Sequence, residues 1–200
     1  HQLKTHTFLK KKNFSVPSFC LKLSEIKKFS NTFFLKKNFG HGNQGYKIIH
    51  SQKEFKKLNK LKKDDWIIQE FLDDNYKEYT CAVMQLGEFR DVIILNRRLN
   101  KGYTYFAEEV NDVALKNTLL ELAKKINLNG SINVQLKIKK NKYAIFEINP
   151  RLSSTVMMRH LLGFKDCLWW IEYILNNKLP KHRYKVKNRR LLKFFDEKYV

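Results

Sequence analysis

Glu147 and Asn149 stand two residues apart in the run Ile145-Phe146-Glu147-Ile148-Asn149-Pro150-Arg151, which Leu152, Ser153 and Ser154 follow. Successive side chains of an extended chain alternate between faces, so Glu147 and Asn149 share one face and Phe146 and Ile148 the other. Pro150 stops the strand. A carboxylate beside a carboxamide at the end of a buried strand costs free energy unless something binds there. Both side chains offer oxygen, the donor that Mg²⁺ prefers. A cation site is the chemistry this stretch suggests.

A hairpin enlarges the donor set. Ser131 to Ile138 and Tyr143 to Asn149 read as its two strands. A buried apolar face needs Leu136 opposite Phe146 and Val134 opposite Ile148. That register requires a three-residue loop, Lys140-Asn141-Lys142. It also sets Gln135 opposite Glu147 and Asn133 opposite Asn149, so four oxygen-bearing side chains gather on one face. The chain uses lysine freely elsewhere, and a merely solvated face would be expected to carry it here too.

A second stretch with chemistry is Lys36-Lys37-Asn38-Phe39-Gly40-His41-Gly42-Asn43-Gln44-Gly45. It lies between a strand, Phe33 to Lys36, and a returning strand, Tyr46 to His50. A strand rather than a helix follows the glycines, which excludes a dinucleotide fingerprint. A hairpin tip with glycines at 40, 42 and 45 lets backbone N–H groups approach phosphate oxygens. Lys36 adds charge at its base. Glycine-rich tips also serve turn geometry alone.

The elements that must position these groups follow from capping and periodicity. Helices are expected over Leu3 to Asn13, over Glu25 to Phe29 after Ser24, and over Gln52 to Leu61 after Ser51. Further helices are expected over Val110 to Ile126, Val156 to Leu162 and Asp166 to Asn176. Ser18 to Leu23 reads as extended, and Trp66 to Phe71 as a strand. Glu78 to Leu86 and Phe89 to Leu99 read as strands around the turn Gly87-Glu88.

With 200 residues and a hydrophobic fraction of 43% the chain can form one domain or two small lobes. No apolar run is long enough to span a membrane and the N-terminus has no signal-peptide pattern, so a soluble, cytoplasmic protein is expected. Cys20, Cys81 and Cys167 are isolated, which suits a reducing compartment. The net charge of +21 would suit a polyanion partner. The lysines are spread along the chain without interleaved aromatics, however, which reads as compositional drift and argues against nucleic acid.

Taken in order, these pieces resemble the ATP-grasp superfamily, in particular its carbamoyl-phosphate-synthase-like branch. The series is strand, glycine-rich hairpin, helix, Gln69-Glu70-Phe71-Leu72, a strand beginning Glu78-Tyr79-Thr80, a long helix, a strand bearing Gln135, and Glu147-Ile148-Asn149-Pro150-Arg151. The resemblance runs from about Lys4 to Asn176. It implies an α+β fold of two lobes with ATP between them. A small lid lobe with the glycine-rich loop would span residues 1–70. A larger antiparallel-sheet lobe would span 71–180, and 181–200 would be a basic C-terminal tail.

It also implies roles. Lys36 would reach the ATP phosphates and take part in catalysis, with Lys4 as a second phosphate contact. Gly40, Gly42 and Gly45 would close over the triphosphate. Glu70, Phe71 and the Leu72 backbone would hold the adenine, and Glu78 the ribose hydroxyls. Gln135, Glu147 and Asn149 would be ligands of Mg²⁺, for which Mn²⁺ is a substitute, with Gln135 also facing the nucleotide. Arg151 would stabilise the transferring phosphoryl group. Arg97, Arg98, Arg159 and His160 are candidates for the acceptor or phosphate side.

The implied activity is an ATP-dependent carboxylate–amine ligase that activates a small carboxylate substrate, and a homodimer is compatible with it. The alternatives are a degenerate ATP-grasp domain that binds nucleotide without catalysis and a non-enzymatic basic nucleic-acid-binding protein. Family members carry a further N-terminal α/β domain. This chain starts almost at the ATP-binding part, so it is expected to be a fragment or a truncated product.

Overall fold

The computed structural model describes residues 2–21, 25, 32–38, 46–57, 66–73, 75–140 and 142–194. It divides the chain into two units, His1–Lys77 with Lys137–Glu147 and Glu78–Leu136 with Ile148–Val200.

The first unit opens with α1 (Gln2–Lys11), where His6 and Leu9 are the buried residues and Lys10 and Lys11 complement the dipole of the last turn. Asn38 caps this helix: its Oδ1 accepts from Leu3 N–H at 3.0 Å and its carbonyl from Gln2 N–H at 3.0 Å. Asn13, at φ 65°, ends the turn that follows. The strands are β1 (Phe19–Cys20), β2 (Phe33–Lys37), β3 (Tyr46–Ile49) and β4 (Trp66–Glu70), in the order β1-β4-β2-β3 with antiparallel pairing. Helix α2 (Gln52–Lys56) begins at Ser51, whose Oγ accepts from Glu54 N–H at 3.1 Å. The helix expected over Glu25 to Phe29, except for Glu25, and residues 58–61 of the helix expected over Gln52 to Leu61 lie outside the described residues.

Directly opposed residues share a face of an antiparallel sheet. Phe33, Leu35, Ile49, Ile68 and Cys20 form one buried face of this sheet and pack with Phe55 of α2. Phe34 is opposed by Gln69 and Ile48, Lys36 by Ile67 and Tyr46, and Phe19 by Gln69. The second face is therefore aromatic and polar together.

The second sheet has six strands: β5 (Lys77–Leu86), β6 (Phe89–Asn100), β7 (Tyr103–Glu109), β8 (Gly130–Lys139), β9 (Lys142–Asn149) and β10 (Arg190–Leu192), in the order β10-β7-β6-β5-β8-β9. Its helices are α3 (Val113–Lys125), α4 (Val156–Leu161) and α5 (Asp166–Asn176). Helix α3 starts three residues later than periodicity suggests, because Asp112 is the N-cap and its Oδ1 accepts from Leu115 N–H at 2.9 Å. It packs on β6 through Leu115, Leu119, Leu122 and Ala123. The main core joins Ala82, Met84, Leu86, Ile93, Leu95 and Ala107 of the sheet to Met158, Leu162, Phe164 and Tyr184. Gly130, at φ 120°, admits Trp170 so closely that a Cβ there would lie 2.2 Å from the indole ring.

Two expectations are corrected, and one strand was not anticipated. Residues 103–109 form a strand that sequence patterning does not show. The segment after Pro180 is not a loose tail, for β10 pairs with β7 and Tyr184 is in the core. The β8–β9 loop is shorter than three residues, since Lys142 already belongs to β9 and Lys140 takes φ 47°. On β9 Ile145 is fully buried, while Phe146 and Ile148 are half-buried. The Ile145 N–H donates to the Ser15 carbonyl at 2.9 Å, so the chain around Ser15 covers that side.

Candidate functional site

In the first unit the aromatic and polar face of the small sheet carries the expected phosphate lysine. Lys36 Nζ lies 5.8 Å from the centre of the Phe34 ring and 5.4 Å from that of Phe146. Phe34 also packs against Phe71 and Tyr46, with centroids 4.9 and 5.5 Å away. A cation beside clustered aromatic rings offers charge for phosphate and π surface for a base. Lys4 is an exposed residue of α1. Gly40, Gly42 and Gly45 lie outside the described residues.

The residues expected to hold adenine have partners. Glu70 Oε2 accepts from Ser18 N–H at 3.1 Å, and Glu70 N–H donates to the Ser18 carbonyl at 2.8 Å. The Leu72 carbonyl accepts from Lys137 Nζ at 2.7 Å. Phe71 is half-buried and Leu72 buried.

Beside Lys36 lies a group that sequence reasoning missed. His6 is fully buried, its ring edge-on to Phe19 at 5.4 Å, and Gln69 is opposed to Phe19 across the sheet. Burial holds the imidazole below its ordinary 6.5 and the Lys36 charge works the same way, while the hydrogen bond to the Gln2 carbonyl and the nearby Gln69 side chain favour the charged ring. Nδ1 faces that carbonyl at 2.9 Å, so in the neutral ring Nδ1 carries the proton and Nε2 is an acceptor. Gln2 Oε1, His6 Nε2 and Gln69 Oε1 are all buried without a hydrogen-bond partner among the described residues. Gln69 sits in a strand of apolar neighbours, which was the available signal.

In the second unit the structure joins two expected site residues through a third. Arg97 donates to Glu78 Oε1 from Nε at 2.9 Å and from Nη2 at 2.5 Å, and Nη2 reaches Gln135 Oε1 at 3.1 Å. The Arg97 side chain is 10% exposed and that of Glu78 22%. Two residues earlier on β8, Asn133 Oδ1 accepts from Thr80 Oγ1 at 2.8 Å, and Asn133 Nδ2 is buried without a partner among the described residues. Arg98 stacks on Phe106 at 5.2 Å.

Arg159 is not available to a substrate. It is 1% exposed and donates to Asp166 from Nε and to Ser153 from Nη1, both at 2.8 Å. Ser131 Oγ donates to the same carboxylate at 2.7 Å. His160 is half-buried on α4. Arg151 is exposed, and its Nη1 donates to the Leu152 carbonyl at 3.1 Å.

Glu147 and Asn149 are both half-buried on β9. Among the described residues no group of three or more His, Cys, Asp or Glu side chains could hold a metal. The expected set of Gln135, Glu147 and Asn149 offers only oxygen donors and one carboxylate, which suits a hard cation that draws further charge from a bound phosphate. Gln135 Oε1 has two lone pairs, of which Arg97 uses one. The donor types suit such a cation, but the β8–β9 loop is shorter than the three residues that the opposition of Gln135 to Glu147 required. Among the described residues no helix is long and apolar enough to cross a membrane.

Comparison with known proteins follows the same lines. Residues 62–194, more than half of the chain, match the family described as "ATP-grasp in the biosynthetic pathway with Ter operon". No curated protein matches by sequence. An N5-carboxyaminoimidazole ribonucleotide synthetase solved with ADP superposes with a TM-score of 0.73 at 16% identity, over 92% of this chain and 53% of that one. The Staphylococcus aureus N5-carboxyaminoimidazole synthetase with ADP gives 0.73 at 16%, over 95% of this chain and 53% of that one. Biotin carboxylase from Campylobacter jejuni, in a β-γ-ATP complex, gives 0.75 at 14%, over 90% and 47%. At such identity the likeness establishes the fold. The chain spans about half the length of these structures.

Proposed function

The chain belongs to the ATP-grasp family matched over residues 62–194, and from that premise we propose that it binds Mg-ATP and activates a small carboxylate for attack by an amine. The observation that carries the reading is Lys36 beside the aromatic cluster of the first unit; within the second unit, Glu78 and Gln135 both bond Arg97.

In the proposed reaction a carboxylate oxygen attacks the γ-phosphorus of ATP. The bond from that phosphorus to the β,γ-bridging oxygen breaks, and ADP leaves. An amine then attacks the acyl carbon of the acyl phosphate, releasing inorganic phosphate and a proton. Gln135, Glu147 and Asn149 would hold Mg²⁺, or Mn²⁺ in its place. The metal, when bound, neutralises charge that develops on the phosphoryl oxygens. Lys36 and Arg151 add positive charge around the same oxygens. Phe34, Phe71 and Phe146 supply surface for the base, and Glu78 accepts from the ribose. Nothing in this scheme needs a covalent enzyme intermediate, so the residues act by positioning and electrostatics.

A second reading keeps the nucleotide and drops the chemistry, and the single carboxylate of the metal set favours it. Thermal melting with millimolar ATP and Mg²⁺ tests what both readings share. The expected result is a rise in Tm that is absent in Glu147→Ala; no rise with the wild type overturns both. Single-turnover hydrolysis of ATP across a panel of small carboxylates separates them, since only a ligase speeds ADP formation when its carboxylate is added.

A further inference from the structure

Arg97 carries more than an ion pair. It lies on β6, one position beyond the Tyr79–Asn96 pair of the β5–β6 register, which places it across from Glu78. Both of its bonds to that carboxylate land on Oε1. Oε2 has no partner among the described residues. The third bond, to Gln135 Oε1, ties β8 to the same guanidinium. A planar fork that holds three acceptor contacts leaves both side chains little rotational freedom.

We propose that Arg97 is a positioning residue that makes the site selective for a ribonucleotide: it anchors Glu78 through Oε1 and presents Oε2 to the ribose hydroxyls. The proposal rests on the Mg-ATP reading above, and on Glu78 as its ribose contact. Two consequences follow. Freed of Arg97, Glu78 keeps its charge but loses its fixed direction, so hydroxyl recognition weakens. The bare carboxylate also repels the triphosphate, but this repulsion is the same for any nucleoside triphosphate. The ratio of affinities for ATP and 2′,3′-dideoxy-ATP therefore isolates positioning from charge.

The test measures that ratio by calorimetry with Mg²⁺ in wild type, Glu78→Ala, Arg97→Met and Arg97→Lys, with circular dichroism as the check on folding. Wild type should prefer ATP by about tenfold or more, the worth of one or two hydrogen bonds to a charged group. Glu78→Ala and Arg97→Met should each bring the ratio close to one. Arg97→Lys keeps the charge but not the fork, and should fall between. If Arg97→Met does not fold, Arg97→Lys decides. A wild-type ratio in a folded Arg97 variant overturns the proposal, as does a wild-type ratio in Glu78→Ala. A wild type that binds neither nucleotide overturns the ATP reading itself, a different and recognisable failure.

Discussion

Arg159 and Asp166 form a two-pronged ion pair in the interior, Nε to Oδ1 and Nη2 to Oδ2, both at 2.8 Å, with each side chain 1% exposed. Ser131 completes the carboxylate's shell, and Ser153 and Thr155 occupy Nη1. The pair joins the start of α5 to α4, which follows the Glu147–Arg151 stretch. Removing one partner strands a buried charge. Asp166→Ala should therefore destabilise the protein by about 3–5 kcal/mol, read from urea unfolding. Ser131→Ala removes one bond to the same charge and should cost about 1.5–3 kcal/mol.

Lys36→Ala should weaken Mg-ATP binding while leaving the ligand-free protein folded, with only a small drop in Tm from the lost ring contacts. Lys36 lies on the face of the small sheet opposite its apolar core, so its loss leaves Phe33, Leu35 and Phe55 packed. An unchanged affinity in calorimetry would remove Lys36 from the site.

The second unit should depend on its last segment. Tyr184 is buried; its N–H donates to Asp91 at 2.5 Å and its hydroxyl bonds to Glu109. Arg189 adds bonds to Glu109 and to the Leu162 carbonyl. Tyr184→Ala should cost about 3–5 kcal/mol by chemical denaturation. A chain ending at Pro180 should lose the sharp thermal transition of the full sequence.

His6 predicts a pH effect. Its folded pKa lies below the ordinary 6.5, so in that window the unfolded chain binds more protons. Stability from the neutral ring is complete above pH 6.5 and falls as pH drops towards the folded value, by at most about 1.4 kcal/mol per pH unit. His6→Gln should flatten this part of the stability curve between pH 7.5 and 5.5. An identical slope in the variant would exclude His6 as its source.

The three thiols should differ in labelling. Burial pushes the Cys81 thiol far up, with the nearby Arg97 charge only partly offsetting it. Cys20 is also buried, while Cys167 is half-buried. A thiol reagent at neutral pH should modify Cys167 first and the other two at the rate of unfolding.

Most of the elements were legible because each carried a local signal. The family resemblance, built on Gln69 to Leu72 and Glu147 to Arg151, is borne out by the family match and the superpositions. Strand β7 was hidden because its pattern is inverted: Tyr103 and Tyr105 are exposed while Thr104, Ala107 and Glu109 face inward. The Lys101-Gly102 turn, with φ 47° and 85°, was the readable clue. Strand β10 was masked by the lysines and arginines around it, since a charge run reads as solvated until a buried Glu109 waits to receive it. Arg159 looked free for an anion because Asp166, its partner, is seven residues away across a turn. The link from Glu78 through Arg97 to Gln135 depends on three strands lying side by side in the order β6-β5-β8, which no local pattern encodes.

The two units are interleaved along the chain, which passes from one to the other after Lys77, after Leu136 and after Glu147. No single cut can release either as a continuous piece. On the ribosome the first unit cannot close when its first 77 residues emerge, because Lys137–Glu147 are still to come. Neither unit can close before residues 137–147 have been made, so the folding of the two is tied together in time.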